Sequence, residues 1–410
     1  MKEVKHTRRL CIVLLVLFVA IIAAYFFVNT AAANGQAKLE QDPVIMYPSS
    51  VQLSSHEFMF TSYKKRCEQG DNPILAFGSS ELFSGTTGQM HPAQFFKRSQ
   101  CSNNLMMMGA ANHESLWEAI ELAAIAPYLQ DNRIVLFPSM QWFYGDTSAK
   151  KHEAARNFSS EFSLDAWKAL QENTSLLDET KTELAKSAAA YGVTVSNDSS
   201  TSSVQDSVKA ALDSVDSNIT QFQTNIRAKL SAFSPDATSS EVTSSPSAVP
   251  VKDKSQAGTL TSQDWQELKQ QAEVEAQNAS DADSFSGENT YQDWTKGRVR
   301  LQQYSQVADF SEEEFANFEL LLKICKENNI EPLIILQPCK GWLYDETALN
   351  ASARERFYEK MRSLCKKYGF EIADLTEHDY DRYFLRDQTH PSALGGAYYS
   401  ECIYNFLENK

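Results

Sequence analysis

Ile74-Leu-Ala-Phe-Gly-Ser-Ser-Glu-Leu-Phe-Ser84 (ILAFGSSELFS) is the stretch on which the reading of this chain turns. Its apolar run, with Asp71, Asn72 and Pro73 behind it and Gly78 ahead, predicts a short buried strand over 73–77. Ser79 and Ser80 then stand side by side. A serine between a strand and a helix lies at the carboxyl edge of a parallel sheet, where open α/β sheets bind ligands. The helix expected to begin there would offer unpaired N–H groups and a positive dipole end to a developing oxyanion.

Working outward, four more segments read as strands: NLMMMG (104–109), RIVLFPS (133–139), IEPLIILQP (330–338) and FEIADL (370–375). Helices separate them. Leu116, Ile120, Ala123, Ala124 and Leu129 recur at helical spacing over 114–129. The stretch 311–329 opens with Ser311 and Glu314 at capping-box spacing, 351–369 ends on Gly369, and 394–409 is a last helix. Strands alternating with helices imply an α/β fold of three layers, a parallel sheet flanked by helices on both faces.

Two regions stand outside that alternation. Residues 29–70 read as a polar lead-out with weak helical character in SSHEFMFTSYKKRCEQ. Residues 151–300 read as a helical, Ser/Asp-rich insert. Its segments 196–206 and 234–262 are too polar to offset their ordering entropy and are expected to be disordered or mobile. Between them Val204, Val208, Leu212, Val215, Ile219, Phe222, Ile226, Leu230 and Phe233 recur at helical intervals, and a second stripe runs from Leu164 to Tyr191. The insert shows no catalytic constellation.

The N-terminus bears on compartment. Lys2, Lys5, Arg8 and Arg9 precede Leu10–Val28, which contains no charged residue. At about 1.5 Å per residue that segment crosses the roughly 30 Å hydrocarbon core of a bilayer. The basic flank assigns residues 1–9 to the cytoplasm, 10–28 to a transmembrane anchor and the remainder to the outside. The competing reading is a cleaved signal peptide ending near Ala31-Ala-Ala33. Six cysteines would then face an extracytoplasmic space, either as buried small hydrophobes or as disulfide partners, and their spacing matches no metal site. The net charge of −15 argues against nucleic acid as a partner.

Three places can carry chemistry. The first is the serine pair. The second is Phe384-Leu-Arg-Asp-Gln-Thr-His-Pro391, where Asp387 can orient His390 through Nδ1 and leave Nε2 to take a serine proton. The third is a set of oxyanion donors at successive strand ends: Gly109, Asn112 and Gln141.

A serine after one strand, a glycine after the next and D-x-x-H before the last helix resemble the SGNH (GDSL-like) hydrolases. Matching Gly78-Ser79-Ser80-Glu81 to that superfamily's G-D-S-L makes Ser80 the nucleophile and Ser79 the turn residue that aims it. Its G-x-N-D block is missing, and Gln141 is the proposed stand-in. The N-terminal anchor with FGSSEL (77–82), NHESL (112–116), PSMQWF (138–143), GWLYDE (341–346) and FLRDQTHPSALG (384–395) further resembles the DltD family of teichoic acid D-alanylation. That resemblance implies an SGNH-like domain split between 29–150 and 301–410, around the 151–300 insert. It implies a single-pass protein at the cell membrane whose triad, Ser80, His390 and Asp387, passes D-alanyl groups to (lipo)teichoic acid through an acyl-serine. Implied partners are a membrane-bound O-acyltransferase, a D-alanyl carrier protein or other D-alanyl donor, and the polymer. No cofactor or metal is expected. An esterase or thioesterase with the same triad, and a non-catalytic partner of the acyltransferase, are the alternatives.

Overall fold

The computed structural model describes residues 12–20, 22–23, 26, 42, 44–47, 50–83, 88–98, 100–111, 113–145, 148–193, 204–231, 260–281 and 309–408. Its centre is a parallel sheet of six strands: β1 (Val44–Tyr47), β2 (Ile74–Phe77), β3 (Leu105–Met108), β4 (Arg133–Leu136), β5 (Glu331–Leu336) and β6 (Glu371–Asp374). They lie in the order β1-β3-β2-β4-β5-β6. Ile74 is in register with Leu105 on one side of β2, and Leu75 with Ile134 on the other.

Apart from the edge strand β6, both sheet faces are largely buried, and the alternation within the strands shows why. Leu75, Phe77, Met106, Met108, Ile134, Leu136, Ile334 and Leu336 point to one face. There they meet α1 (His56–Glu68), α2 (Ser115–Ile125), α8 (Glu312–Glu327) and α9 (Ala351–Tyr368). Ile74, Ala76, Leu105, Met107, Val135, Leu333 and Ile335 point to the other. That face is covered by α10 (Ala393–Glu408) and by α7 (Ser262–Asp281) behind it. A strand buried on both sides needs apolar residues at every position, which is what ILAF and LMMM supply.

Several expectations change. The lead-out 29–70 contains β1 and α1, and Val-Ile-Met-Tyr between Pro43 and Pro48 was too short a run to stand out as a strand. The stripe Leu164–Tyr191 is two helices, α4 (Leu164–Glu172) and α5 (Asp178–Ala190), broken around Asn173. With α3 (Ser148–Glu161) they join the first core through Phe158, Trp167, Leu170, Leu184 and Ala188. At the other end of the 151–300 segment, buried Trp265 of α7 sits 5.0 Å from the Phe95 ring and 5.5 Å from the Tyr404 ring. The helical stripe from Val204 forms α6 (Val204–Ser231). Most of 196–206 and 234–262 lies outside the described residues. The six cysteines after the N-terminal segment are free thiols, four of them buried, which selects the first of the two readings for them.

Residues 12–20 are helical, with Ile12 to Val19 exposed. Among the described residues no helix is long and apolar enough to cross a membrane. Several residues of 10–28 lie outside that description.

Candidate active site

The three triad candidates come from two distant parts of the chain and meet at the carboxyl edge of the sheet. β2 ends at Phe77, in the middle of the strand order, so Ser80 emerges near the sheet's centre. It begins a single 3₁₀ turn, Ser80–Leu82, where the sequence had suggested a longer helix. Arg386 N donates to the His390 carbonyl at 2.9 Å, closing the 385–391 loop ahead of α10.

His390 Nε2 lies 2.7 Å from Ser80 Oγ, and His390 Nδ1 lies 2.7 Å from Asp387 Oδ2. Asp387 Oδ1 also accepts the backbone N–H of His390 at 2.9 Å and of Thr389 at 3.1 Å. Burial alone would raise the Asp387 carboxyl, but the His390 hydrogen bond and charge and these N–H donors overrule it, so its pKa falls below the ordinary value. An ionised Asp387 fixes the proton on Nδ1 and leaves the Nε2 lone pair facing the serine hydroxyl. For His390, burial pulls the pKa down, while the bond to Asp387 and the charges of Asp387 and Glu81 push it up; the net shift is upward.

Ser79 is buried beside Ser80 and serves the scaffold. Its hydroxyl donates to the Ala110 carbonyl at 3.0 Å, and its N–H donates to Glu81 Oε1 at 2.5 Å. Gly109 adjoins this turn closely: a Cβ there would fall 1.9 Å from the Gly78 carbonyl oxygen. The close approach therefore requires glycine, and it lays the β3 loop against the turn of Ser80. Asn112 lies outside the described residues. Gln141 follows β4, and its amide donates to the Tyr344 hydroxyl at 3.1 Å. That contact ties it to the short helix Gly341–Tyr344 that follows β5.

Four further groups surround the triad. Glu81 is buried, and burial pushes its carboxyl up to about 7 against the pull of the Ser79 N–H and the His390 charge. His91 Nδ1 accepts the Ala93 N–H, so its Nε2–H donates to the Glu81 carbonyl at 3.1 Å and clamps the serine's turn. Burial lowers the His91 pKa to about 4 and keeps the ring neutral. His113 holds the β3 loop by accepting the Ala110 N–H at Nδ1, 3.2 Å away. Lys340 is 2% exposed, its Nζ 5.4 Å from the Trp342 ring centre, and its backbone N–H donates to the Gln388 carbonyl beside Asp387. Burial drives its pKa down to about 7, against the pull of the Asp387 charge.

The loop carrying Lys340 is braced from beneath. Asp379 accepts from Cys339 N, the Tyr358 hydroxyl and Arg354 Nε, each at 2.8 Å, and Arg354 Nη1 reaches Asp345 at 2.9 Å. His113 lay within the quoted NHESL motif and Lys340 directly before GWLYDE, but their roles depend on burial and tertiary pairing. For His91 the sequence held no signal.

A serine, a neutral imidazole and an ionised carboxylate in this order can transfer a proton from hydroxyl to imidazole as the oxygen attacks an acyl carbon. Comparison with known proteins agrees with the earlier resemblance. The family model described as DltD protein matches residues 50–408. The chain is 26% identical over 339 residues to Protein DltD of Bacillus subtilis (strain 168), covering 81% of each chain. It is 23% identical over 341 residues to Protein DltD of Staphylococcus aureus (strain NCTC 8325 / PS 47), covering 82% of this chain and 81% of the other.

Proposed function

We propose, from the premise that this chain belongs to the DltD family, that it is a serine acyltransferase of teichoic acid D-alanylation working through an acyl-serine on Ser80. The observation that carries this reading is the unbroken relay Ser80–His390–Asp387, with 2.7 Å at each link. In the first half-reaction Ser80 Oγ attacks the carbonyl carbon of a D-alanyl ester or thioester while His390 Nε2 takes the hydroxyl proton. Asp387 stays ionised and steadies the imidazolium. The tetrahedral intermediate collapses, the leaving oxygen or sulfur takes the proton from Nε2, and a D-alanyl ester remains on Ser80. In the second half-reaction a polymer hydroxyl gives its proton to His390 and attacks that ester; Nε2 then returns the proton to the departing Ser80 Oγ, leaving a D-alanyl ester on the polymer and the free serine.

The Gly109 loop beside the serine is the place where backbone donors would meet the oxyanion, with Gln141 as a further amide donor. The apolar segment 10–28 would tether the domain to the outer face of the cell membrane, close to a lipid-anchored polymer and to a membrane-bound O-acyltransferase that hands over D-alanyl groups drawn from the carrier protein. Water in place of the polymer would make the same triad an esterase.

The test is complementation of cells lacking the native gene, reading ester-linked D-alanine in the wall. Ser80→Ala and His390→Ala are expected to leave it at the level of the deletion, while Ser79→Ala restores a substantial part. Full restoration by Ser80→Ala would refute a catalytic Ser80.

A further inference from the structure

His91 stands between the two distant stretches of chain that build the triad. It is 1% exposed, and both of its ring nitrogens are engaged. Nδ1 accepts the Ala93 N–H at 3.1 Å, so Nε2 carries the proton and donates it to the Glu81 carbonyl, also at 3.1 Å. Burial lowers the ring's pKa to about 4, so it stays neutral and Nδ1 keeps its lone pair. The Glu81 carbonyl belongs to the single 3₁₀ turn that Ser80 opens. Within that turn the Ser79 carbonyl accepts the Leu82 N–H at 3.2 Å and the Ser80 carbonyl accepts the Phe83 N–H at 3.1 Å. So short a turn has poor hydrogen-bond geometry of its own, and the imidazole adds a tertiary bond at its middle residue.

The backbone that carries the ring is pinned to α10. His91 N donates to the Gly88 carbonyl at 3.1 Å, and the His91 carbonyl accepts the N–H groups of Gln94 and Phe95, each at 2.8 Å. Ser400 Oγ donates to the Met90 carbonyl at 2.7 Å. One turn earlier on the same face of α10, a Cβ on Gly396 would come within 3.0 Å of His91 Cα. The adjacent glycine seats the other stretch. A Cβ on Gly395 would fall 2.4 Å from the Phe384 carbonyl oxygen and 3.1 Å from Pro391 Cβ, at the two ends of the loop that holds Asp387 and His390. Gly395 and Gly396 thus let one helix start lie against both that loop and His91. From Ser80 the path runs through the Glu81 carbonyl, His91 and α10 to His390, and the 2.7 Å contact of Nε2 with Oγ closes it.

We infer that His91 is a positioning residue for acyl transfer, holding the turn of Ser80 at its distance from His390 through the Glu81 carbonyl. This rests on the acyl-serine reading. Without the imidazole the Glu81 carbonyl loses a buried donor and the turn is free to shift, and a misplacement of about 1 Å spoils the alignment that attack and proton transfer need.

The test uses the full chain and two substitutions that separate the ring's two bonds. In His91→Asn the amide oxygen takes the place of Nδ1 and keeps the Ala93 N–H, but no donor reaches Glu81. In His91→Gln the amide nitrogen takes the place of Nε2 and can still donate to Glu81. The first readout is the limiting rate at which Ser80 Oγ displaces fluoride from a fluorophosphonate, its proton passing to His390. The second is amide hydrogen exchange at Leu82, Phe83 and Ala93, which needs no activity. His91→Asn is expected to lower the limiting rate about tenfold or more with little change in the half-saturating probe concentration. It is also expected to speed exchange at Leu82 and Phe83 while Ala93 stays protected. His91→Gln is expected to stay within about threefold of the parent rate. A parent-like rate in His91→Asn overturns the inference. So does an equal loss in the two variants, which marks a purely structural role and also covers misfolding. If the parent serine resists the probe, the acyl-serine reading fails separately; faster exchange at Leu82 and Phe83 in His91→Asn then upholds the clamp on the turn, and unchanged exchange refutes it.

Discussion

His390 has to be neutral to take a proton from Ser80, yet Asp387 and Glu81 favour its charged form. Activity must therefore fall on acidification, with a midpoint above the ordinary histidine value of about 6.5. Glu81 titrates near 7 and faces the same imidazole, so the observed midpoint belongs to the pair. Glu81→Gln removes a negative charge that stabilises the imidazolium, and the acid limb of kcat/KM is expected to move to lower pH, read as labelling rate against pH. A second residue-scale prediction concerns stability. Lys340 is depressed to about 7, so below that pH both the folded and the unfolded chain are protonated there and the buried charge carries its full cost. Between about 7 and 10.4 the unfolded chain holds the extra proton, and stability rises with pH. Lys340→Met should thus stabilise the fold at pH 6, a gain that shrinks toward pH 10 in thermal melts. Ser80, Asp387 and His390 were legible because their signals are local: a strand ending in glycine, and an aspartate three residues before a histidine. Glu81, His91, His113 and Lys340 gain their roles from burial and from partners distant in sequence, which spacing does not encode.

Among the elements, the tops of β2 and β3 set the site. Gly109→Ala would place a methyl on the Gly78 carbonyl, and backbone cannot yield as a flexible side chain does. The expected result is a loss of about 3 kcal/mol or more in denaturant unfolding, with Ser80 labelling lost even where the chain stays folded. Gly369 makes a useful contrast. It ends α9 at φ +75° with nothing near a Cβ, so Gly369→Ala should cost only about 1 kcal/mol and leave labelling unchanged. Five of the six strands were readable because a parallel sheet demands unbroken apolar runs. β1 escaped because four residues at the sheet's edge make a weak signal, and the turn after Ser80 was overextended because apolar Leu82 and Phe83 resemble a helix start.

On the scale of the whole molecule, the segment between the two halves of the sheet contributes to its structure. Trp167, Leu170 and Leu184 belong to the first core, Trp265 to the second, and Glu161 reaches the catalytic edge. A chain lacking 148–193 is expected to lose cooperative unfolding, since those side chains would leave bare the apolar surface of α2 and α8. Its composition disguised this, because long polar stretches flank helices whose apolar faces are narrow. The proposed role of Ser80, carrying D-alanine between donor and polymer, is directly observable. The most direct measurement is mass spectrometry of the Ser80 peptide from cells expressing the full chain, quenched in acid, with wall D-alanylation active and with it blocked upstream. An alanyl increment is expected on Ser80 that is absent from Ser80→Ala, disappears when the supply is blocked, and accumulates when the acceptor polymer is depleted. A Ser80 that remains unmodified under acceptor depletion, in cells whose D-alanyl supply is intact, would contradict it.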